Sequence, residues 1–127
     1  MTTATTDIIT ASIDQHLAGY CEPDSTRRAE LIAAVWHPEG VLVDPPMDGA
    51  GHDEICGLVD IVLTHFPAHR FVRTSAVDTH HDMARYSWSL VGPDGTEATS
   101  GLDVARFDAD GKLLHITGFF GPLAPVD

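Results

Sequence analysis

The sequence predicts an α+β fold: three N-terminal helices followed by a mainly antiparallel sheet that they cover on one face. Apolar residues recur at helical spacing as far as Phe66 and alternate at strand spacing after Pro67. The strand-rich half contains no helical segment between strands, which favours an antiparallel meander over a parallel sheet. The length of 127 residues suits one domain spanning 1–127, large enough to bury roughly two-thirds of its unfolded surface without disulfides or metal.

The elements follow in order. After Asp7, a candidate N-cap, the residues Ile9, Ile13, Leu17 and Tyr20 form one apolar stripe, and "CEPD" ends a helix over about 7–21. Asp24 or Ser25 caps a second helix, about 25–37, whose stripe is Leu31, Ile32, Val35 and Trp36, and "HPEG" stops it. A short strand, Val41–Asp44, precedes a Gly-rich loop, "MDGAG". The spacing of Ile55, Leu58, Val59, Val62, Leu63 and Phe66 predicts a third helix over about 52–66. Four strands come next: "HRFVRTSAVDTH", "MARYSWSLV", "TEATSGLDVARF" and "KLLHITGFFG", separated by turns at "HHD", "GPDG" and "DADG". The first six residues and the tail "GPLAPVD" are expected to be loose.

Charge and composition exclude several function classes. Seven Lys+Arg against 19 Asp+Glu give a net charge of -12, which repels nucleic acid and anionic membranes. No run approaches the roughly 20 apolar residues of a membrane span, and "MTTATTD" lacks the regions of a secretory signal, so a cytoplasmic protein is expected. Cys21 and Cys56 lack C-x-x-C spacing and read as packing residues. Eight histidines include the pair in "THHD", but no second cluster has ligand spacing, and no metal is expected. "DGAGHDE" lacks the Lys-Ser/Thr of a phosphate loop and the spacing of a dinucleotide fingerprint. No cofactor is therefore expected.

Three polar residues stand in apolar surroundings. Asp44 ends the strand of "GVLVDPP", where it is either a turn residue or a general base at a pocket mouth. Asp103 lies inside a mostly apolar strand, on the face of Gly101, Ala105 and Phe107, where a carboxylate is costly unless protonated or paired, for example with Arg85 or Arg106. His16 sits on the inward stripe of helix 1, as a satisfied core histidine or as an acid, base or hydrogen-bond donor. Alternation puts Tyr86, Trp88 and Leu90 on one strand face and Ile116, Gly118 and Phe120 on another. With Tyr20 from helix 1, Tyr86, Trp88, Ile116 and Phe120 are the candidate walls of a pocket for a hydrophobic ligand, although such aromatics also serve as core.

Three strings carry a family resemblance: "VLVDPP" with its acid-Pro pair, "GHDEI" opening helix 3, and "GLDVARFDADGKLLHITGFFG", in which Phe120 follows Asp103 by 17 positions. With the order of elements, they make the chain similar to the cone-shaped fold of nuclear transport factor 2, the SnoaL-like polyketide cyclases and the bacterial ketosteroid isomerases. The resemblance implies a strongly curved sheet. It implies that Asp44 is the general base and Asp103 a protonated donor to the developing oxyanion, the pairing for which ketosteroid isomerase is a standard worked case. The isomerases also use a helix-1 tyrosine as second donor; here His16 matches that position and Tyr20 lies one turn later.

Three functions are compatible with these residues. One is a cofactor-free enzyme transferring protons on a hydrophobic carbonyl compound, by isomerisation or cyclisation, with Asp44, Asp103 and His16. A second is an epoxide hydrolase-like or hydratase-like activity, which requires an Asp-Arg-Asp arrangement that Arg85, predicted to face away from the pocket, does not favour. The third is a non-catalytic binding or association module. The outward sheet positions Leu102, Val104 and Phe119 predict a homodimer.

Overall fold

The apolar stripes set the helices. In the computed structural model, which describes residues 5–127, α1 spans Thr6–Gly19, α2 Ser25–Val35 and α3 Gly51–His65. Thr5, rather than Asp7, caps α1: its side chain accepts from the Ile8 N–H, and Asp7 lies in the first turn, where its charge complements the helix N-terminus. Asp24 caps α2, accepting from the N–H groups of Thr26 and Arg27. Of the first six residues, expected to be loose, 1–4 lie outside the described residues, while Thr5 caps α1 and Thr6 begins it. The tail from Gly121 to Asp127 is exposed and joins no strand.

Among the described residues the sheet has seven strands: β1 (Trp36–Asp44), β2 (Met47–Ala50), β3 (Arg70–Arg73), β4 (Asp78–His80), β5 (Met83–Val91), β6 (Glu97–Phe107) and β7 (Leu113–Phe120). Their order is β2-β1-β7-β6-β5-β3, with β4 also paired to β5. Strands β5, β6 and β7 form the expected antiparallel meander, but β1 runs parallel to β7, so the sheet is mixed. Curved, open at its edges and covered by three helices, it is an α+β architecture.

Three expectations are corrected. β1 begins at Trp36, because "HPEG" is absorbed in an irregularity between Trp36 and Val41 rather than ending α2. The Trp36 indole folds over Gly40, where a Cβ would stand 2.9 Å from its Cζ3. The Gly-rich string is partly strand: Pro45 and Pro46 form the turn between β1 and β2, and Asp44 pairs with Met47. Gly49 lets α3 approach closely, since a Cβ there would lie 3.1 Å from Leu58 Cδ1 and 3.3 Å from the Glu54 backbone. The expected strand at "HRFVRTSAVDTH" divides into β3 and β4, both on β5, because Ser75 Oγ takes the Ser87 N–H and interrupts the ladder.

One core joins the helices to the inner face of the sheet. Ile13, Ile32, Ile55 and Val59 meet Trp36, Tyr86, Leu113 and Ile116 there, each at most 2% exposed. Both cysteines are free and half-buried. Among the described residues no helix is long and apolar enough to cross a membrane. Toward its open end this core gives way to a cavity.

Candidate active site

The cavity, of about 520 Å³, lies between the inner face of the sheet, α1 and the C-terminal half of α3. Asp44, Asp103, His16, Tyr20, Trp88, Ile116 and Phe120 all line it, and among the described residues no lysine or arginine does. Tyr86, expected on the wall, lies behind it: its ring is 1% exposed and its hydroxyl serves Asp103 from beneath. Alternation put Tyr86 on the correct face, but the face is deeper than the cavity.

Asp103, 7% exposed on β6, is held from the neighbouring strand. Tyr86, directly opposite on β5, donates its O–H to Oδ2 at 2.7 Å, and the Trp88 indole N–H donates to Oδ1 at 3.0 Å. Trp88 reaches across because its own partner is Gly101, where a Cβ would lie 2.5 Å from the indole Cζ2. On β7 the partner of Asp103 is Gly118, and a Cβ there would come within 2.8 Å of Oδ1. Two missing side chains thus make room for the carboxyl group. Burial pushes its pKa up to about 6; the bonds from Tyr86 and Trp88 pull the other way, and the Asp44 charge adds to the rise. Arg85 and Arg106 do not reach it, being paired with Asp78 and Asp82 on the surface.

Asp44 is a turn residue that also lines the cavity. One oxygen accepts the Met47 N–H at 3.1 Å, closing the β1–β2 turn, while Oδ2 has no partner among the described residues. The carboxyl group lines the cavity and is raised above the usual carboxylate range, because partial burial outweighs the Met47 bond. Gly118 lies between the two acids: its hypothetical Cβ would also be 3.4 Å from Asp44 Cβ.

Helix α1 supplies two further polar groups one turn apart. The Trp36 indole N–H donates to His16 Nδ1 at 3.1 Å. An indole nitrogen cannot accept, so Nδ1 is unprotonated and the neutral ring carries its hydrogen on Nε2. Burial lowers the His16 pKa to about 3, which keeps the ring neutral at physiological pH. Tyr20 is 5% exposed and its hydroxyl is buried without any hydrogen-bond partner among the described residues. Such an orphan costs about 1–3 kcal/mol. Its pKa is raised by burial and by the nearby Asp44 and Asp103 charges. The rings of His16, Tyr20, Phe71, Trp88 and Phe120 follow one another at centroid spacings of 5.3–5.8 Å along the cavity.

Sequence reasoning missed Met47, Ile61, Phe66 and Phe71, which also line the cavity. Helical spacing marked Phe66 as buried but did not distinguish a core position from one facing a void. Among the described residues no group of three His, Cys, Asp or Glu side chains is placed to hold a metal ion. Nor does the cavity assemble the Asp-Arg-Asp set of a hydrolase, since no arginine lines it.

Solved structures resemble this chain throughout. A candidate isomerase of the SnoaL-like family from Agrobacterium tumefaciens C58 is 30% identical, with 91% of this chain and 99% of that one covered and a TM-score of 0.85. A candidate SnoaL-like polyketide cyclase from Jannaschia sp. CCS1 shares the fold at 12% identity, covering 90% and 85%, with a TM-score of 0.72. So does a protein with a ketosteroid isomerase-like fold from Catenulispora acidiphila, in complex with trimethylamine, at 11% identity, 87% and 85% coverage and a TM-score of 0.69. No protein-family model and no curated protein matches the chain.

Proposed function

This chain belongs to the SnoaL-like family within the NTF2-like superfamily, and from that premise we propose that it is a cofactor-independent enzyme transferring protons on a hydrophobic carbonyl compound. The observation that carries the reading is a pair of acids in an apolar cavity, neither salt-bridged, both with pKa values raised by burial and one with a free oxygen. Raised pKa values in a cleft mark acid–base groups. Asp44 Oδ2 accepts a proton from the carbon next to the carbonyl, the C–H electron pair forms the enolate, and charge moves to the oxygen. The same carboxyl group returns the proton to another carbon in an isomerisation. In a cyclisation the enolate carbon attacks a second carbonyl of the ligand, and the proton goes to the resulting alkoxide. Asp103, with a pKa of about 6, is the second acid–base group of the site. The test is NMR-detected deuterium exchange into steroid-like and polyketide-like ketones that first raise the melting temperature, with no cofactor added.

A second reading, a non-catalytic binding module, has one observation in its favour. The rings of Trp88, Phe71 and Tyr20 stand near two carboxyl groups with no protein cation on the wall, which suits an ammonium ligand; the Catenulispora neighbour was solved with trimethylamine. Binding of amines without exchange in any ketone favours this reading.

Assembly as a homodimer is part of the proposal. Leu102 and Phe119, 39% and 60% exposed, occupy the outer face of β6 and β7 beside the half-buried Val104, an apolar patch that a second copy would cover.

A further inference from the structure

We propose that His65 and Thr99 form a second polar pole at the cavity mouth, which takes a neutral hydroxyl group at the end of the ligand remote from its reacting carbonyl. The substrate class is then a hydroxyketone. This rests on the proton-transfer reading and adds to it a specificity site that the two acids do not supply.

His65 carries the inference. It is the last residue of α3, is exposed, and lines the cavity together with Ile61, which lies one turn earlier and is 45% exposed. Its Nδ1 lies 2.9 Å from the Ile61 carbonyl oxygen, which can only accept, so Nδ1 carries the ring hydrogen and donates it there. The neutral ring therefore has its lone pair on Nε2, the nitrogen left free for a ligand.

Thr99 lines the same space from the sheet. It shares the inner face of β6 with Gly101 and Asp103, and four residues separate it from Asp103, or about 13 Å at roughly 3.3 Å per residue. Asp44 belongs to the Asp103 end, because Gly118 is the β7 partner of Asp103 and a Cβ on it would touch Asp44. A carbonyl compound reacting beside Asp44 thus has its far end toward Thr99, with Trp88, Phe71, Leu90 and Phe66 beside the hydrocarbon between.

Charge and hydrogen bonding decide what that far end is. The chain carries a net charge of -12, the cavity holds two acids, and among the described residues no lysine or arginine lines it, so a carboxylate or phosphate on the ligand is disfavoured. An alkyl end would displace water from Nε2 and from the Thr99 hydroxyl without replacing its hydrogen bonds. A hydroxyl suits both groups, donating to Nε2 and accepting from Thr99.

The test is binding, which needs no turnover. Testosterone, with a ketone at one end and a hydroxyl at the other, and the shorter hydroxyacetonaphthone are each compared with the ketone lacking the hydroxyl. In at least one pair the hydroxyketone is expected to bind roughly 3- to 10-fold more tightly, the range for neutral hydrogen bonds. His65→Phe, which keeps a ring at an exposed helix end, is expected to abolish that preference and leave the affinity of the plain ketone unchanged; Thr99→Val is expected to reduce it. Nitrogen NMR is expected to find neutral His65 protonated on Nδ1, with the Nε2 signal moved by the hydroxyketone and not by the plain ketone. No preference in either pair, an equal preference in His65→Phe, or a neutral His65 protonated on Nε2 would overturn the inference. Hydroxyl selectivity in a protein that exchanges no ketone would support the mouth site while refuting the proton-transfer reading.

Discussion

Replacing Asp103 by asparagine should turn a pH-dependent cost into a constant. The Asp103 carboxyl group has a pKa of about 6 in the folded protein against an ordinary value of 3.8. The charged form is thus disfavoured on folding by just over two units, on the order of 3 kcal/mol at 1.36 kcal/mol per unit. The folded state holds this proton where the unfolded chain has lost it. The favourable contribution is therefore complete below about pH 3.8 and is lost as pH rises through about 6. Asparagine keeps the geometry: its oxygen accepts the Trp88 N–H, and the Tyr86 hydroxyl turns to accept from its amide. His16 contributes an opposite slope, since its folded pKa of about 3 lies below the ordinary 6.5 and stability is lost as pH falls. That slope is common to both proteins and cancels in their difference. Urea unfolding of both between pH 4 and 8 should find Asp103→Asn gaining roughly 2–3 kcal/mol relative to wild type between pH 4 and 7. A difference independent of pH, or one of opposite sign, would refute the account of a carboxyl group held between burial and two donors.

Gly118→Ala places a Cβ 2.8 Å from Asp103 Oδ1 and 3.4 Å from Asp44 Cβ, so it should cost about 1–3 kcal/mol of stability and suppress exchange even where the protein remains folded; thermal melting and NMR exchange on the same sample check both. Light scattering at micromolar concentration should give the mass of a dimer, and Phe119→Glu, which puts charge on a residue 60% exposed, should shift it toward monomer without altering the fold. A monomer mass for the wild type would reject the dimer.

The helices were legible because each needed only local spacing: α3, expected over about 52–66, spans Gly51–His65. The strands were less so. Pro38 and Gly40 carry the usual signals for ending a helix, yet here they serve an irregular strand whose tryptophan folds over the glycine, a long-range packing event that no local pattern records. β2 was hidden for a similar reason, since Gly49 answers to the close approach of α3 rather than to a loop. For the site, alternation identified the inward faces of β5, β6 and β7 and so reached Asp103, Trp88, Ile116 and Phe120. It did not distinguish Tyr86, beneath the carboxyl group, from Trp88, beside the cavity, because both have the same parity. Ile61, Phe66 and Phe71 went unseen because periodicity marks a side chain as buried without telling whether it meets another side chain or a void. The Trp36–His16 bond joins a helix to a strand 20 residues away and belongs to the tertiary fold alone.

The central claim is that Asp44 is a base and not only a turn residue, and the exchange rate of a bound ketone in wild type and Asp44→Asn, measured with the affinity of each, tests it most directly. Asparagine keeps the oxygen that accepts the Met47 N–H, so the turn and ligand binding should survive. Exchange next to the carbonyl should fall by about 10²–10⁴, the contribution of a general base, with affinity nearly unchanged. Equal exchange in the two proteins at equal affinity would contradict the claim and leave Asp44 as the residue that closes the β1–β2 turn.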